Sequence, residues 1–134
     1  KSKKIFLGIC LGMQLLFEAS EEAKESKGLG ILKGTVNKFE NRDNLKVPHM
    51  GWNQLKMKKS ACPLLKDIPD DSDVYFCHSY YPQPKDERII AATTDYGIDF
   101  TSVLWQDNIY GVQFHPEKSQ EVGLKILKNF VNLC

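Results

Sequence analysis

Two short stretches of the sequence carry the residue types of a nucleophilic catalytic site. In the first, residues 8–12 read Gly-Ile-Cys-Leu-Gly and lie between an apolar, strand-like run and a segment with helical spacing. This is the context in which a Gly-x-nucleophile-x-Gly elbow presents its central side chain, here the thiol of Cys10. We expect side chains at positions 8 and 12 to collide with neighbouring elements, and glycine removes both collisions.

Two groups next to this turn are expected to act on the thiol. The start of the following helix would direct N–H groups and its positive dipole end at Cys10, which favours the thiolate. The backbone amide of Leu11 would point to the place where an oxyanion forms. On this motif alone, a buried and unreactive cysteine in a glycine-containing turn is an equally good interpretation.

The second stretch, His115-Pro116-Glu117, supplies a base and a carboxylate after another strand-like run. Pro116 disfavours helix at His115, and residues two apart in an extended segment face the same side. Glu117 can therefore hold one ring nitrogen of His115 while the other accepts the thiol proton. Alone, such a pair is more often a surface pair or part of a metal site. With the cysteine turn, it predicts a Cys–His–Glu hydrolase or transferase.

The elements that must position these residues follow from the hydrophobic periodicity. The pattern predicts a helix over 13–24, a second helix from a Ser119 cap to about 133, and a helical turn over 63–67. It predicts strands over 4–9, 34–39, 52–57, 73–81, 88–94, 101–106 and 109–114. Strand 4–9 should be buried on both faces, prolines 82 and 84 should end strand 73–81, and residues 107–108 should make a hairpin. The class is α/β with an antiparallel excursion, and no linker divides the chain.

The composition excludes several classes of partner. The 134 residues carry 18 basic and 17 acidic side chains, with no basic segment that would indicate nucleic-acid binding. The longest apolar run is far short of a bilayer span, so no membrane is expected. The cysteines at 10, 62, 77 and 134 and the three histidines show no zinc-ligand or disulfide pattern. We therefore expect neither a metal nor a cofactor, and a reducing, cytoplasmic setting.

Four motifs together resemble a known family. Residues 8–14 (GICLGMQ) and 111–117 (GVQFHPE) are similar to the two signatures of class I, triad-type glutamine amidotransferases. Residues 48–53 (PHMGWN) and 75–81 (YFCHSYY) resemble the glutaminase subunits of imidazole glycerol phosphate synthase. The resemblance covers nearly the whole chain.

The resemblance implies a flavodoxin-like open sheet flanked by helices, with an antiparallel excursion. It also implies further strands and a glycine-rich oxyanion loop before the nucleophile strand. Residues 1–134 would then be the C-terminal two-thirds of one amidotransferase domain without its N-terminal strands, and we expect such a piece alone to be essentially inactive.

The same resemblance implies a reaction and its residues. Cys10 would attack the side-chain amide of glutamine, His115 would transfer protons, and Glu117 would orient the imidazole. The Leu11 amide would hold the oxyanion. The residues that the resemblance assigns to glutamine binding are Gln14, Glu22, Ser79 and Tyr80.

The resemblance further implies a heterodimer in histidine biosynthesis. The ammonia would pass to a separate cyclase subunit, which makes imidazole glycerol phosphate and an aminoimidazole carboxamide ribotide. Met50, Trp52 and Tyr75 would lie on the docking face; core packing is an equal alternative for Tyr75 and a weaker one for Trp52. Two other hypotheses stay open: a class I amidotransferase serving another acceptor, such as a nucleotide or chorismate, and an inactive piece that only binds a partner.

Overall fold

A computed structural model of the protein describes residues 4–20, 28–40, 45–59 and 61–134. The strands of these residues are β1 (Phe6–Ile9), β2 (Ala19–Ser20), β3 (Gly34–Lys38), β4 (His49–Gln54), β5 (Lys56–Met57), β6 (Asp73–His78), β7 (Tyr80–Pro84), β8 (Ile90–Asp95), β9 (Asp99–Gln106) and β10 (Ile109–Val112). The α-helices are α1 (Leu11–Gln14) and α2 (Gln120–Leu133), and short 3-10 turns lie at Pro63–Leu65, Glu87–Ile89 and Pro116–Lys118.

The largest sheet has the strand order β1-β10-β9-β8-β5. Strands β1 and β10 are parallel, with Ile9 opposite Val112. Strands β9 and β10 form the predicted antiparallel hairpin, with Ile109 opposite Gln106. Because β1 and β10 are parallel neighbours, the segments that follow them leave the sheet at the same edge. The fold therefore brings the Cys10 turn and the His115 stretch to one place.

Two smaller sheets complete the strand pairing of the described residues: β2-β3-β7 and β4-β6. In the second, antiparallel pairing sets His49 opposite His78 and Trp52 opposite Tyr75. The core lies between the sheets and α2 and is rich in aromatic side chains. Its fully buried phenylalanines are Phe17, Phe76, Phe100 and Phe114.

The predicted helix over 13–24 is wrong beyond its first turn. Helix α1 ends at Gln14, and Ala19–Ser20 pair with β3 in parallel. The carbonyl groups of residues 15–18 accept hydrogen bonds from backbone N–H groups within residues 28–32. The helical spacing did not report burial either, because Leu16 is buried whereas Leu15 is 50% exposed. Residues 21–24 lie outside the described part of the chain.

Three strand predictions also need correction. Residues 52–57 divide into the end of β4 and all of β5, which belong to different sheets. Residues 73–81 divide at Ser79 into β6 and the start of β7, which belong to different sheets. Pro84 is the last residue of β7, but Pro82 lies inside it, because β7 is the edge strand of its sheet and an edge tolerates a missing N–H. Strand β1 is not buried on both faces: Phe6 is 44% exposed.

Helix α2 agrees with the predicted bounds, but its cap does not. Ser119 occupies the N-cap position without a side-chain capping bond. Its hydroxyl instead donates to the His115 carbonyl at 2.7 Å and accepts the Tyr75 N–H at 2.9 Å. Ser119 thus ties the start of α2 to the candidate site. No helix in the described ranges is long and apolar enough to cross a membrane.

Candidate active site

Cys10 is the single residue between β1 and α1, and its backbone is strained, with φ 53° and ψ −107°. A side chain makes this region costly, by about 1–3 kcal/mol. Backbone hydrogen bonds hold it on both sides. The Cys10 N–H donates to the Val112 carbonyl at 2.8 Å, and the Cys10 carbonyl accepts from the N–H groups of Met13 and Gln14 at 3.1 and 3.2 Å. The sharp turn predicted from the glycine spacing is therefore present.

The two glycines of the turn are not equivalent. A Cβ at Gly8 would lie 2.7 Å from the Gly12 carbonyl oxygen and 2.8 Å from the Met13 nitrogen, both backbone atoms that cannot move aside. A Cβ at Gly12 meets no atom of the described residues within 4 Å. The predicted collision is correct for Gly8 and wrong for Gly12.

We expect Gly8→Ala to lower the free energy of unfolding by about 1–3 kcal/mol, because the methyl group overpacks the turn. Gly12→Ala, the matched control, should leave stability unchanged or raise it by up to about 1 kcal/mol, because alanine is the better helix former. Denaturant unfolding of both variants measures the difference. Equal losses for the two would contradict this description of the turn.

The thiol of Cys10 has partners on two sides. Its Sγ donates to the Cys77 carbonyl at 3.8 Å, and the Gln113 side-chain Nε2 donates to Sγ at 3.5 Å. Burial raises the pKa of the Cys10 thiol, and the hydrogen bonds from the Leu11 backbone amide and from Gln113 offset only part of that rise. The expectation of a thiolate favoured by the helix start is therefore wrong: α1 is one turn long and burial dominates. Cys10 needs a base.

His115 and Glu117 are in direct contact, with Nδ1 and Oε2 3.0 Å apart. The sequence predicted that a continuously extended segment makes this contact, but Pro116–Lys118 form a 3-10 turn. The Glu117 side chain is 54% exposed and that of His115 is 23% exposed. The carboxylate thus orients the imidazole from the solvent side.

Strand β6 contacts both the thiol of Cys10 and the backbone of His115. The Cys77 carbonyl accepts the Cys10 thiol, and the Tyr75 carbonyl accepts the His115 backbone N–H at 2.9 Å. These carbonyl groups are two residues apart, or about 6–7 Å along a strand. The thiol is hydrogen-bonded to Cys77 and Gln113, so the expected thiol–imidazole bond is not formed. Such bonds commonly tighten only when substrate binds.

A buried amide pair lies behind the thiol. Gln14 is only 8% exposed, and its Nε2 donates to the Tyr80 carbonyl and to Gln113 Oε1, both at 3.1 Å. Gln113, which was not among the predicted site residues, is fully buried. One signal was available for it: it is a polar residue in the otherwise apolar run 109–114.

Ser79 and Tyr80, which the resemblance also assigns to glutamine binding, lie where β6 ends and β7 begins. The Tyr80 carbonyl accepts from Gln14 and so borders the buried amide pair, whereas the Ser79 carbonyl accepts the Phe39 N–H at 3.0 Å. Both residues are half-buried. Glu22 lies outside the described residues.

The predicted docking residues share one face of the β4–β6 pair. Met50 is 60% exposed and Trp52 is 47% exposed. The Trp52 ring meets the half-buried Tyr75 ring edge-on at 5.8 Å. Met50 and Trp52 are therefore exposed surface residues and not core residues, whereas Tyr75 is half-buried.

His49 and His78, opposite each other on β4 and β6, form a buried pair. His49 Nδ1 and His78 Nε2 are 3.0 Å apart, and His78 Nδ1 lies 2.8 Å from the Tyr80 carbonyl oxygen. Burial lowers the pKa of His49 to about 4 and that of His78 to about 3. Within the described ranges, no group of three or more His, Cys, Asp or Glu side chains is arranged to hold a metal ion.

This pair predicts a pH-dependent stability. Folding lowers both pKa values from the ordinary 6.5, so below that pH the unfolded chain binds more protons than the folded chain. The free energy of unfolding should therefore fall between pH 7 and pH 5 by about 2 kcal/mol per histidine. Denaturant unfolding over this range measures it, and His49→Phe should remove about half of the slope. A flat profile in the unsubstituted protein would refute the buried, neutral pair.

Comparison with known proteins places this geometry in a family. The family described as glutamine amidotransferase class-I matches residues 1–134. Imidazole glycerol phosphate synthase subunit HisH of Methanocaldococcus jannaschii is 56% identical over 128 residues, which cover 96% of this chain and 63% of that protein. The protein of the same name from Syntrophotalea carbinolica is 51% identical over 135 residues, covering 97% of this chain and 65% of the relative. The chain thus spans under two thirds of the length of these relatives.

Solved structures support the same fold at low identity. A Thermoplasma acidophilum protein described as a subunit of GMP synthase superposes with a TM-score of 0.71 at 22% identity, covering 99% of this chain and 58% of that one. A glutamine amidotransferase from Thermotoga maritima gives a TM-score of 0.64 at 20% identity, covering 98% of this chain and 48% of that one. These likenesses confirm the expected amidotransferase-like fold.

Proposed function

The chain belongs to the class I glutamine amidotransferase family, and from this premise we propose that the protein hydrolyses glutamine to glutamate and ammonia. One observation carries the proposal. The strained Cys10 and the paired His115 and Glu117 follow two parallel neighbouring strands and rest against the same strand, β6. A nucleophile, a base and a group that orients the base are the components of covalent amide hydrolysis.

In the first half of the reaction, His115 takes the Cys10 proton as the sulfur attacks the side-chain amide carbon of glutamine. The resulting oxyanion would lie against the Leu11 backbone amide, which also lowers the pKa of the Cys10 thiol. His115 then gives its proton to the leaving nitrogen, and ammonia departs. The product is a thioester on Cys10.

In the second half, water attacks the thioester carbon while His115 accepts a water proton. The carbon–sulfur bond breaks, the proton returns to the thiol, and glutamate leaves. Gln113, which donates to Sγ at 3.5 Å, orients the sulfur throughout. Gln14, Glu22, Ser79 and Tyr80 are our proposed contacts for the amino-acid end of glutamine.

For the fate of the ammonia we propose transfer to a cyclase subunit that forms imidazole glycerol phosphate in histidine biosynthesis. The 51–56% identity to subunits of that synthase supports this acceptor over those of the two amidotransferases whose solved structures are compared above, at 20–22% identity. Met50, Trp52 and Tyr75 are the proposed docking residues. We place the heterodimer in the reducing cytoplasm, because all four cysteines are unpaired and Cys10 must remain a thiol.

We expect glutamine hydrolysis to be slow without the cyclase and at least 10-fold faster with the cyclase and its acceptor. The reason is that the cyclase binds the active state of the protein more tightly than the inactive state and so raises the population of the active state. Glutamate release, titrated against the cyclase, measures this. Trp52→Ala should raise the half-maximal cyclase concentration at least 10-fold, as for a buried aromatic anchor. Val131→Ala, equally apolar and 65% exposed on α2, is the control and should change nothing. Turnover that ignores both cyclase and acceptor would refute the proposed partner.

A further inference from the structure

A chain of directed hydrogen bonds runs from Asn53 to the Tyr80 carbonyl through the two buried histidines. Asn53 Nδ2 lies 3.3 Å from His49 Nε2, and the links from His49 to His78 and from His78 to Tyr80 follow at 3.0 and 2.8 Å. Asn53 itself is fixed at both ends of its amide. Its Nδ2 donates to the Asp95 carbonyl at 2.8 Å, and its Oδ1 accepts the Gln54 N–H, also at 2.8 Å.

The two ends of the chain determine both tautomers. The Tyr80 carbonyl can only accept, so His78 must carry its proton on Nδ1 and leave Nε2 bare. The bare nitrogen requires a proton on His49 Nδ1, and His49 Nε2 then accepts from the Asn53 amide. Every donor therefore has one acceptor, and neither ring has room for a second proton. The low pKa values of both rings agree with this neutral state.

The hydrogen-bond chain ends on the Tyr80 carbonyl oxygen, which the candidate active site also uses. The Tyr80 carbonyl accepts His78 Nδ1–H and Gln14 Nε2–H together, which fills both of its lone pairs. Gln14 in turn holds Gln113, and Gln113 donates to the Cys10 sulfur. Moving the Tyr80 carbonyl would therefore move the amides that orient the nucleophile.

The starting end lies on strand β4, where residues alternate between two faces. His49 is buried, whereas Met50 and Trp52 are exposed on the face that we propose for docking. The strand that would meet the partner thus carries His49, the first imidazole of the hydrogen-bond chain, on its inner side.

We propose that His49 and His78 are positioning residues for glutamine hydrolysis, which fix the Tyr80 carbonyl relative to β4 and thereby hold Gln14 and Gln113 on the Cys10 thiol. This proposal rests on the glutaminase activity proposed above. Neither histidine touches the reacting atoms.

The tautomers give a test that is independent of activity. The chain has only three histidines, so nitrogen NMR of histidine-labelled protein gives few signals, and His49→Phe and His78→Asn assign two of them. At pH 7 we expect both buried rings to be protonated at Nδ1 and bare at Nε2. A proton on Nε2 of His78 would overturn the proposal.

Kinetics of glutamate release, with the cyclase present, test the positioning role. We expect His78→Phe to lower kcat/KM at least 10-fold, since small misplacements at a catalytic centre cost up to about 10²-fold. His78→Asn, whose amide can still donate to the Tyr80 carbonyl, should recover most of the loss. Phe39→Leu is the matched control. It removes a ring 5.2 Å from His78 and 5.5 Å from Phe100 without touching the hydrogen bonds, and should cost less than 3-fold.

Equal losses in His78→Phe and Phe39→Leu, or no recovery in His78→Asn, would reduce His78 to a packing residue and overturn the proposal. If His78→Phe does not fold, His49→Phe gives the same comparison, because it keeps the stack on Phe76 and Tyr96 and removes the donor to His78 together with the acceptor for the Asn53 amide. An unsubstituted full-length protein that releases no glutamate with its cyclase bound would overturn the glutaminase activity and this proposal together. If the unsubstituted protein is active and the histidine variants keep the same kcat/KM, this proposal alone is overturned.

Discussion

Replacement of Cys10 by alanine should lower the kcat of glutamine hydrolysis by about 10⁴–10⁶-fold, to the level of an enzyme that has lost its nucleophile. The reason is chemical: without the sulfur no thioester forms, and the Leu11 amide has no attack to stabilise. Glutamate release in the presence of the cyclase measures the loss. The same variant should still bind the cyclase at the half-maximal concentration of the unsubstituted protein, which would show that folding and docking survive.

The other cysteines provide the controls for this prediction. Cys77 contacts the thiol of Cys10 through its backbone carbonyl, which Cys77→Ala keeps. Cys62 is buried in the core, away from the candidate site, and burial also raises the pKa of its thiol. Both variants should retain activity within a few-fold. Residual turnover above about 1% in Cys10→Ala would contradict the assigned nucleophile.

Loss of His115 should cost more than loss of Glu117. His115→Ala removes the group that moves protons in both halves of the reaction, and a positioned acid–base group contributes about 10²–10⁴-fold. Glu117→Ala removes a carboxylate that is 54% exposed, so water screens and partly replaces it, and we expect a loss nearer 10-fold. Initial rates at saturating glutamine, with the cyclase bound, give both values.

A carboxylate of similar exposure away from the site tests whether the Glu117 effect is local. Glu87, in the 3-10 turn before β8, is exposed, and Glu87→Ala should leave the rate unchanged. If Glu117→Ala proves as damaging as His115→Ala, or more so, the division of roles between base and orienting group is wrong.

Local patterns were sufficient to predict the parts of the site that depend on short-range geometry. The glycine spacing around Cys10 predicted a sharp turn, and the structure places that residue at φ 53°. The two-residue link between β9 and β10 predicted the hairpin, and β10 then carries His115 to the edge where β1 ends. These features need only neighbours in sequence, so a single sequence contains them.

The parts that were missed depend on residues distant in sequence. Helix α1 ends early because backbone amides within residues 28–32 donate to the carbonyl groups of residues 15–18. The thiol pKa rises through burial, which the motif does not reveal. The amide pair joins Gln14 to Gln113 across 99 positions. Only the folded chain shows which of these long-range contacts form, and they are what distinguishes a catalytic turn from an ordinary strand–helix connection.

The central claim is that Cys10 is the nucleophile that attacks glutamine, and covalent labelling tests it most directly. The protein, with its cyclase bound, is treated with a glutamine-like diazoketone or chloroketone, digested, and mapped by mass spectrometry. We predict one label, on the peptide that contains Cys10, with loss of glutaminase activity in proportion to labelling and protection by excess glutamine. Labelling of Cys62, Cys77 or Cys134 in preference to Cys10, or labelling that glutamine does not slow, would contradict the account.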